Sequence, residues 1–341
     1  VLVSGGAGTG KTLIGLEVAR RKAESGLRVA YICFNRLLAQ WIGQQVEKNK
    51  TPNLITGTVN SLLNEMTDTH PPQRAGESWW EFEGLNQIME KLTSPSLGGL
   101  ARFDYLVVDE LQDILSKPLL WDCLKELFGD TLANSHYLLM GDFEHQTLSV
   151  DMETVLENLG EIESHSCHWK LQENCRNYKE LGDLTVKISG FDTPPWVGYM
   201  RSGGGFDVAS TKLYPNVTDQ IDLLEQEINS LERQGYKLTD ITVLSYQSYK
   251  SNVFESLKGR GVSIVDAERP EANCVNYSTV KKFKGMESPV ILLADVYFSP
   301  DEIEYQSRLF YTALTRSTER VVIFCKESAK YTLSNWMNPS D

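Results

Sequence analysis

The chain has 341 residues, a 41% apolar share and a formal net charge of −13. That length suits two domains, the apolar share supports real cores, and the composition excludes a disordered or fibrous protein. The acidic balance argues against a protein that coats nucleic acid, while leaving room for a narrow basic track.

The apolar run Val1–Ser4 predicts a first strand, and Gly5-Gly6-Ala7-Gly8-Thr9-Gly10-Lys11-Thr12 follows it. This is G-x-x-x-x-G-K-[ST], a phosphate-binding loop. Around Gly6, Ala7, Gly8, Thr9 and Gly10, successive backbone N–H groups can turn inward around a polyphosphate without a Cβ in the way. Lys11 would reach the β- and γ-phosphates, and the Thr12 hydroxyl would hold Mg²⁺. Leu13, Leu16, Glu17 and Arg20 continue a helix whose N-terminus adds partial positive charge. The chemistry implied is nucleoside triphosphate binding.

Further strands are predicted at Arg28–Phe34, Leu54–Val59, Tyr105–Asp109 and Tyr137–Gly141, separated by helix-length segments. Their apolar runs are continuous rather than alternating, which predicts a parallel sheet buried on both faces. Residues 65–100 break the rhythm with Pro71-Pro72, Gly76, Pro95 and Gly98-Gly99, so a surface excursion with a helix near 80–92 is expected. The strand Tyr105–Val108 ends in Asp109-Glu110-Leu111-Gln112-Asp113. An acidic pair at the carboxyl end of a parallel strand belongs beside the phosphate loop. Asp109 would fix Mg²⁺, and Glu110 would take a proton from the attacking water.

Near residue 171 the pattern restarts. Val217, Ile221, Leu224, Ile228 and Leu231 mark one face of an amphipathic helix closed by Gly235. Strands are predicted at Ile241–Ser245, Ser263–Val265, Val275–Ser278, Val290–Ala294 and Arg320–Phe324, with a helix through Tyr305–Leu314. A second α/β domain of similar size follows from this. Six scattered cysteines with no C-x-x-C pair predict free thiols in a reducing, cytoplasmic compartment. No apolar run reaches the ~20 residues that span a bilayer, so no membrane partner is expected. The first residue, Val1, already lies in a core strand, which predicts an upstream domain.

In these motifs the chain resembles the superfamily 1 helicases of the UvrD/Rep type. Asp109–Asp113 matches their D-E-x-Q-D, and Gly141-Asp142-Phe143-Glu144-His145-Gln146 fits G-D-x-x-Q. Phe34-Asn35-Arg36 looks like motif Ia, and Thr58-Val59-Asn60-Ser61 is similar to T-F-H-S, with Asn60 where His is usual. Leu171 to Arg176 fits L-x-x-N-Y-R, Thr279 to Glu287 resembles T-x-H-x-x-K-G-x-E, and Tyr311 to Arg316 fits Y-V-A-L-T-R. The wording around Cys33–Trp41 and Glu173–Asn177 is similar to a branch often fused to a nuclease-related domain.

The resemblance implies two RecA-like P-loop domains, residues 1–170 and 171–341, each a central parallel sheet flanked by helices. It implies that Gln146 senses the γ-phosphate, that Arg176 and Arg316 act as arginine fingers, and that Glu287 binds the ribose where Gly285 lets backbone approach. It also implies that Phe34, Asn35, Arg36, Thr58, Asn60, Thr279 and Lys281 touch single-stranded DNA. The activity implied is Mg²⁺-dependent ATP hydrolysis coupled to movement on that strand, with three-to-five-prime polarity. A phosphotransferase is disfavoured, because it needs an acceptor pocket rather than a water-activating Glu.

Three departures weaken the match. Cys175 stands where the family has its adenine-stacking Tyr, and the upstream adenine-reading Gln is absent. Gln146 is followed by Thr147-Leu148-Ser149-Val150-Asp151, without the usual Tyr and Trp on which bases stack. Trp41, Trp79 or Trp80 could replace them. Short gaps at 63–104 and 177–277 leave no room for full accessory domains. These departures favour an alternative, a nucleic-acid-dependent ATPase switch within a larger nuclease or defence protein that unwinds little.

Overall fold

The computed structural model describes all residues except 74–75, 77–78, 95–102, 129–130, 149–151, 192, 205, 248–250, 298–301 and 338–341. The chain divides into two compact units. One comprises Val1–Gly5 with Gly10–Leu171, the other Gly6–Thr9 with Gln172–Asp341.

The first unit carries strands β1 (Leu2–Gly5), β2 (Val29–Cys33), β3 (Leu54–Thr58), β4 (Tyr105–Asp109), β5 (Tyr137–Gly141) and β6 (His168–Leu171). They form one sheet in the order β3-β2-β4-β5-β1-β6, and every pairing is parallel. Strands β2, β4 and β5 are buried at every position, which is why their apolar runs are continuous. The edge strands β3 and β6 are largely half-buried or exposed. Without an apolar run, β6 gave no signal in the sequence. Connecting helices are α1 (Lys11–Glu24), α2 (Arg36–Asn49), α3 (Val59–Thr67), α4 (Gly84–Leu92), α5 (Gln112–Leu115), α6 (Pro118–Lys125) and α7 (Met152–Glu163).

Two expectations change here. Val59 is not the end of a strand but the first residue of α3, because the Thr58 hydroxyl accepts from Ser61 N–H and caps the helix. Residues 79–92 carry the helix expected there, but they are packed into the first unit and are not a surface excursion. A π-turn at Trp79–Glu83 leads into α4, and Trp79, Leu85, Ile88 and Leu92 are buried in the first unit. Gly84 allows this, since a Cβ there would lie 2.7 Å from the Trp79 ring. The breaks expected at Pro95, Gly98 and Gly99 lie outside the described residues.

The second unit has a two-stranded pair, β7 (Glu173–Tyr178) with β8 (Gly198–Arg201), beside a six-stranded parallel sheet. That sheet comprises β9 (Ala209–Tyr214), β10 (Ile241–Ser245), β11 (Ile264–Asp266), β12 (Val275–Thr279), β13 (Ser288–Val296) and β14 (Ser317–Lys326), ordered β11-β12-β10-β13-β14-β9. Its helices are α8 (Lys179–Ser189), α9 (Val217–Arg233), α10 (Val253–Gly259), α11 (Ile303–Leu314) and α12 (Lys330–Met337). The predicted stripe on α9 holds from Ile221 onward: Ile221, Leu224, Ile228 and Leu231 are buried, whereas Val217, the first residue after the Asn216 cap, is exposed. Each unit is therefore an α/β domain with a parallel central sheet, the RecA-like class expected.

Candidate active site

In the first unit the loops after β1, β4 and β5 leave adjacent strands at their carboxyl ends, where open α/β sheets gather ligands. Gly10, at φ 89°, caps α1, and Lys11 is its first residue. The Lys11 ammonium is buried and donates to the Gly5 carbonyl at 2.6 Å. One residue on, Thr12 Oγ1 donates to Asp109 Oδ2 at 2.7 Å. The phosphate loop and the acidic motif, 97 residues apart, are thus joined directly.

Asp109 is fully buried and held on both oxygens. Tyr31 of β2 donates its phenol to Oδ2 at 2.9 Å, and Glu110 N–H donates to Oδ1 at 2.9 Å. Burial, and then the neighbouring Glu110 charge, raise the Asp109 pKa above the usual carboxylate range. Hydrogen bonds from Thr12 and Tyr31 and the charge of Lys11 oppose that rise. Glu110 itself is left-handed, at φ 53°, a backbone conformation that costs a non-glycine residue roughly 1 kcal/mol or more. Its Oε2 accepts from Gln112 Nε2 at 2.5 Å, and Gln112 Oε1 accepts from Asp142 N–H at 3.2 Å. Gln112 therefore ties the D-E-L-Q-D loop to the G-D-F-E-H-Q turn. In that turn burial alone would raise the Asp142 pKa, but the hydrogen bonds and charge of His145, with Lys11, hold it below the ordinary value. Gln146 is buried in the same turn.

A hydroxyl and a carboxylate, both hard oxygen donors, suit Mg²⁺, which binds through one or two carboxylates plus substrate phosphates. A divalent cation would also relieve the cost of a buried carboxylate beside Glu110. The residues fit the metal. Among the described residues no cluster of three or more His, Cys, Asp or Glu is arranged to hold another.

The second unit includes the loop tip Gly6–Thr9. Ala7 N–H donates to the Tyr311 hydroxyl at 2.9 Å, and Trp196 Nε1 donates to Ala7 O at 2.8 Å. Gly8, at φ 74°, accepts at its carbonyl from Cys175 N–H. A Cβ on Gly8 would stand 2.8 Å from Arg176 Cβ and from Asn174 Oδ1, so glycine is required by space as well as by φ. Cys175 is exposed.

Arg176 is oriented by Asn174, whose Oδ1 accepts from both Arg176 N–H and Asn177 N–H at 2.9 Å. The guanidinium of Arg176 donates to Glu287 Oε2 at 2.6 Å and to Thr315 O at 3.2 Å. Arg316 is 2% exposed; it donates to Thr312 O at 3.0 Å, to Met286 O at 3.4 Å and to Thr315 Oγ1 at 3.1 Å. Arg176, Glu287 and Arg316 thus come together around Thr315, with Gly285 turning the chain at φ 81°.

The strand-contact candidates scatter more. Asn35 caps α2, accepting from Leu37 and Leu38 N–H, and Arg36 opens that helix exposed to solvent. Phe34 and Asn60 line a cavity of about 530 Å³ with Trp80, Phe82 and Lys117. Thr279 ends β12, and Lys281 lies over the Tyr305 ring at 5.2 Å, both in the second unit. Of the three tryptophans considered, Trp79 is buried, whereas Trp80 reaches the cavity. Sequence reasoning missed the supporting residues Tyr31, Gln112, Asn174 and Trp196. Gln112 and Asn174 stood inside quoted motifs and could have been found there; Tyr31 and Trp196 carried no local signal.

Known families match both parts of the chain. Residues 275–324 match the UvrD-like helicase C-terminal domain, which spans the Gly285–Glu287 turn and the Tyr311–Arg316 segment. Residues 1–174 match the Schlafen group 3, DNA/RNA helicase domain and take in the phosphate loop, the acidic motif and the Gln146 turn. No curated protein matches the chain. Since the second match covers just over half of the 341 residues, the chain belongs to the Schlafen group 3 DNA/RNA helicase domain family and is a superfamily 1 helicase-like protein.

Proposed function

We propose that the chain is a Mg²⁺-dependent ATPase motor core that hydrolyses ATP in response to single-stranded nucleic acid, most simply DNA, and moves along it three-to-five-prime. The observation that carries this reading is the 2.7 Å hydrogen bond from Thr12 to Asp109, which sets a phosphate-loop hydroxyl against a buried carboxylate. Lys11 would leave the Gly5 carbonyl for the β- and γ-phosphates of bound ATP. Thr12 and Asp109 would hold Mg²⁺, which when bound neutralises phosphate charge. Glu110, fixed by Gln112, would accept the proton of the attacking water. Arg176 and Arg316 supply guanidinium charge for the transition state, and residues 1–170 and 171–341 act as the two domains of the motor.

Purified protein should hydrolyse ATP faster with single-stranded DNA present, and Lys11→Ala should abolish turnover in the same assay. Single-stranded RNA in a parallel reaction separates the two nucleic acids, and strand displacement measures unwinding. Absence of stimulation by either nucleic acid would sink the motor reading. Stimulation without strand displacement would put the switch reading in its place, favoured by the lack of Tyr and Trp after Gln146.

A further inference from the structure

We propose that Tyr31 is a positioning residue for the cation site: its phenol fixes the Asp109 carboxylate so that the Thr12 hydroxyl can face Mg²⁺. This rests on the reading of Asp109 and Thr12 as the metal-holding pair. Tyr31 lies on β2, whose register places Tyr31 opposite Val107 and Cys33 opposite Asp109 on β4. From there its hydroxyl donates to Asp109 Oδ2 at 2.9 Å, the same oxygen that accepts from Thr12 Oγ1 at 2.7 Å. Glu110 N–H occupies Oδ1. With donors on both oxygens, the carboxylate has one orientation.

That orientation has a consequence for Thr12. A hydroxyl has one proton and two lone pairs. While Asp109 takes the proton, both lone pairs are left for a cation. If the carboxylate turned, the Thr12 proton would lose its acceptor and the hydroxyl could rotate its lone pairs away. Tyr31 removes that freedom before the metal arrives, much as supporting hydrogen bonds orient the ligands of other metal sites.

The helix beneath leaves room first for Met140 and then for the phenol. Gly15, in the interior of α1, would with a Cβ stand 3.0 Å from the Tyr31 hydroxyl and 2.3 Å from Met140 Cε. A glycine inside a helix is less favourable than alanine, so the position gives up helix stability for room. Tyr31 is wholly buried, so water does not compete for its hydroxyl.

Tyr31→Phe removes the hydroxyl and keeps the ring. Two titrations of the full chain test the inference: Mn²⁺, read by its electron paramagnetic resonance, with ADP at saturation; and ADP alone in EDTA. A thermal melt checks folding. Tyr31→Phe is expected to weaken Mn²⁺ about three- to tenfold, to leave metal-free ADP binding unchanged, and to raise the Mg²⁺ concentration needed for half-maximal turnover by a similar factor. Unchanged Mn²⁺ affinity, or equal weakening with and without metal, overturns the proposal. Asp109→Asn is measured in parallel. If it too leaves Mn²⁺ binding intact, the metal reading itself falls; if only Asp109→Asn weakens Mn²⁺, Tyr31 alone is dismissed.

Discussion

The two units hold opposite charges by different means. In the first, the carboxylates Asp109 and Glu110 are fixed mainly by side chains from neighbouring elements: Thr12, Tyr31 and Gln112. In the second, the Arg316 guanidinium donates to the main-chain carbonyls of Thr312 and Met286 and to one side chain, Thr315 Oγ1, and Arg176 combines Thr315 O with one carboxylate, Glu287. A buried carboxylate needs donors, and a guanidinium offers donors that carbonyls at the end of a helix can accept. The lesson concerns fragility. Side-chain partners can be removed one at a time by substitution, whereas carbonyl partners cannot. The first site should therefore respond to changes in its supporting residues, and the second chiefly to changes in the arginines themselves.

The largest effect expected is at Arg316. Arg316→Ala should lower kcat by about 10³-fold or more with little change in the KM for ATP, since finger contacts strengthen in the transition state. Arg316→Lys should fail to restore it, because an ammonium lacks the planar fork that spans several carbonyls. If Arg316→Ala lowers the melting temperature but keeps turnover at saturating ATP, its place among carbonyls is structural, and the contrast between units loses its catalytic meaning.

Next comes Glu110→Gln, expected to cut turnover about 10²- to 10⁴-fold while nucleotide binding, followed by fluorescent ADP, persists. Parent-rate hydrolysis by this variant would show that another group accepts the proton. Gln112→Ala sharpens the comparison most directly, since it removes only a support. It removes one acceptor of the buried Asp142 N–H and loosens Glu110, which should cost about 1–3 kcal/mol in stability by denaturant titration and lower kcat more than it raises KM. A neutral Gln112→Ala would contradict the claim that the first site depends on its side-chain supports.

The smallest effect is expected at the cavity of Phe34, Asn60 and Trp80. Base stacking on an aromatic is worth about 1–3 kcal/mol, and a half-buried ring such as Trp80 should sit at the low end. Trp80→Ala is then expected to weaken single-strand binding roughly fivefold and leave the unstimulated ATPase rate alone. An unchanged binding isotherm would remove Trp80 as the substitute for the missing aromatics.

The sequence by itself determined the parallel α/β class and the phosphate loop. Both follow from local signals: buried strands β2, β4, β5 and β10 are continuous apolar runs, and the phosphate-loop signature is a contiguous run of residues with glycines at fixed spacing. It also placed Asp109 beside Thr12, because adjacency of motifs at strand ends follows from the fold class. What it left open were half-exposed strands such as β6 and β9, whose mixed patterns are also those of loops, and the packing of Trp79 under α4. Only the tertiary structure decided the supports. Tyr31 reaches Asp109 across 78 positions of sequence, and Arg176 reaches Glu287 across 111. Such pairs are set by tertiary packing, as the register of β2 on β4 sets Tyr31 beside Asp109. Neither leaves a trace in the local sequence, because a buried tyrosine on a strand looks the same whether its hydroxyl meets a carboxylate or a carbonyl.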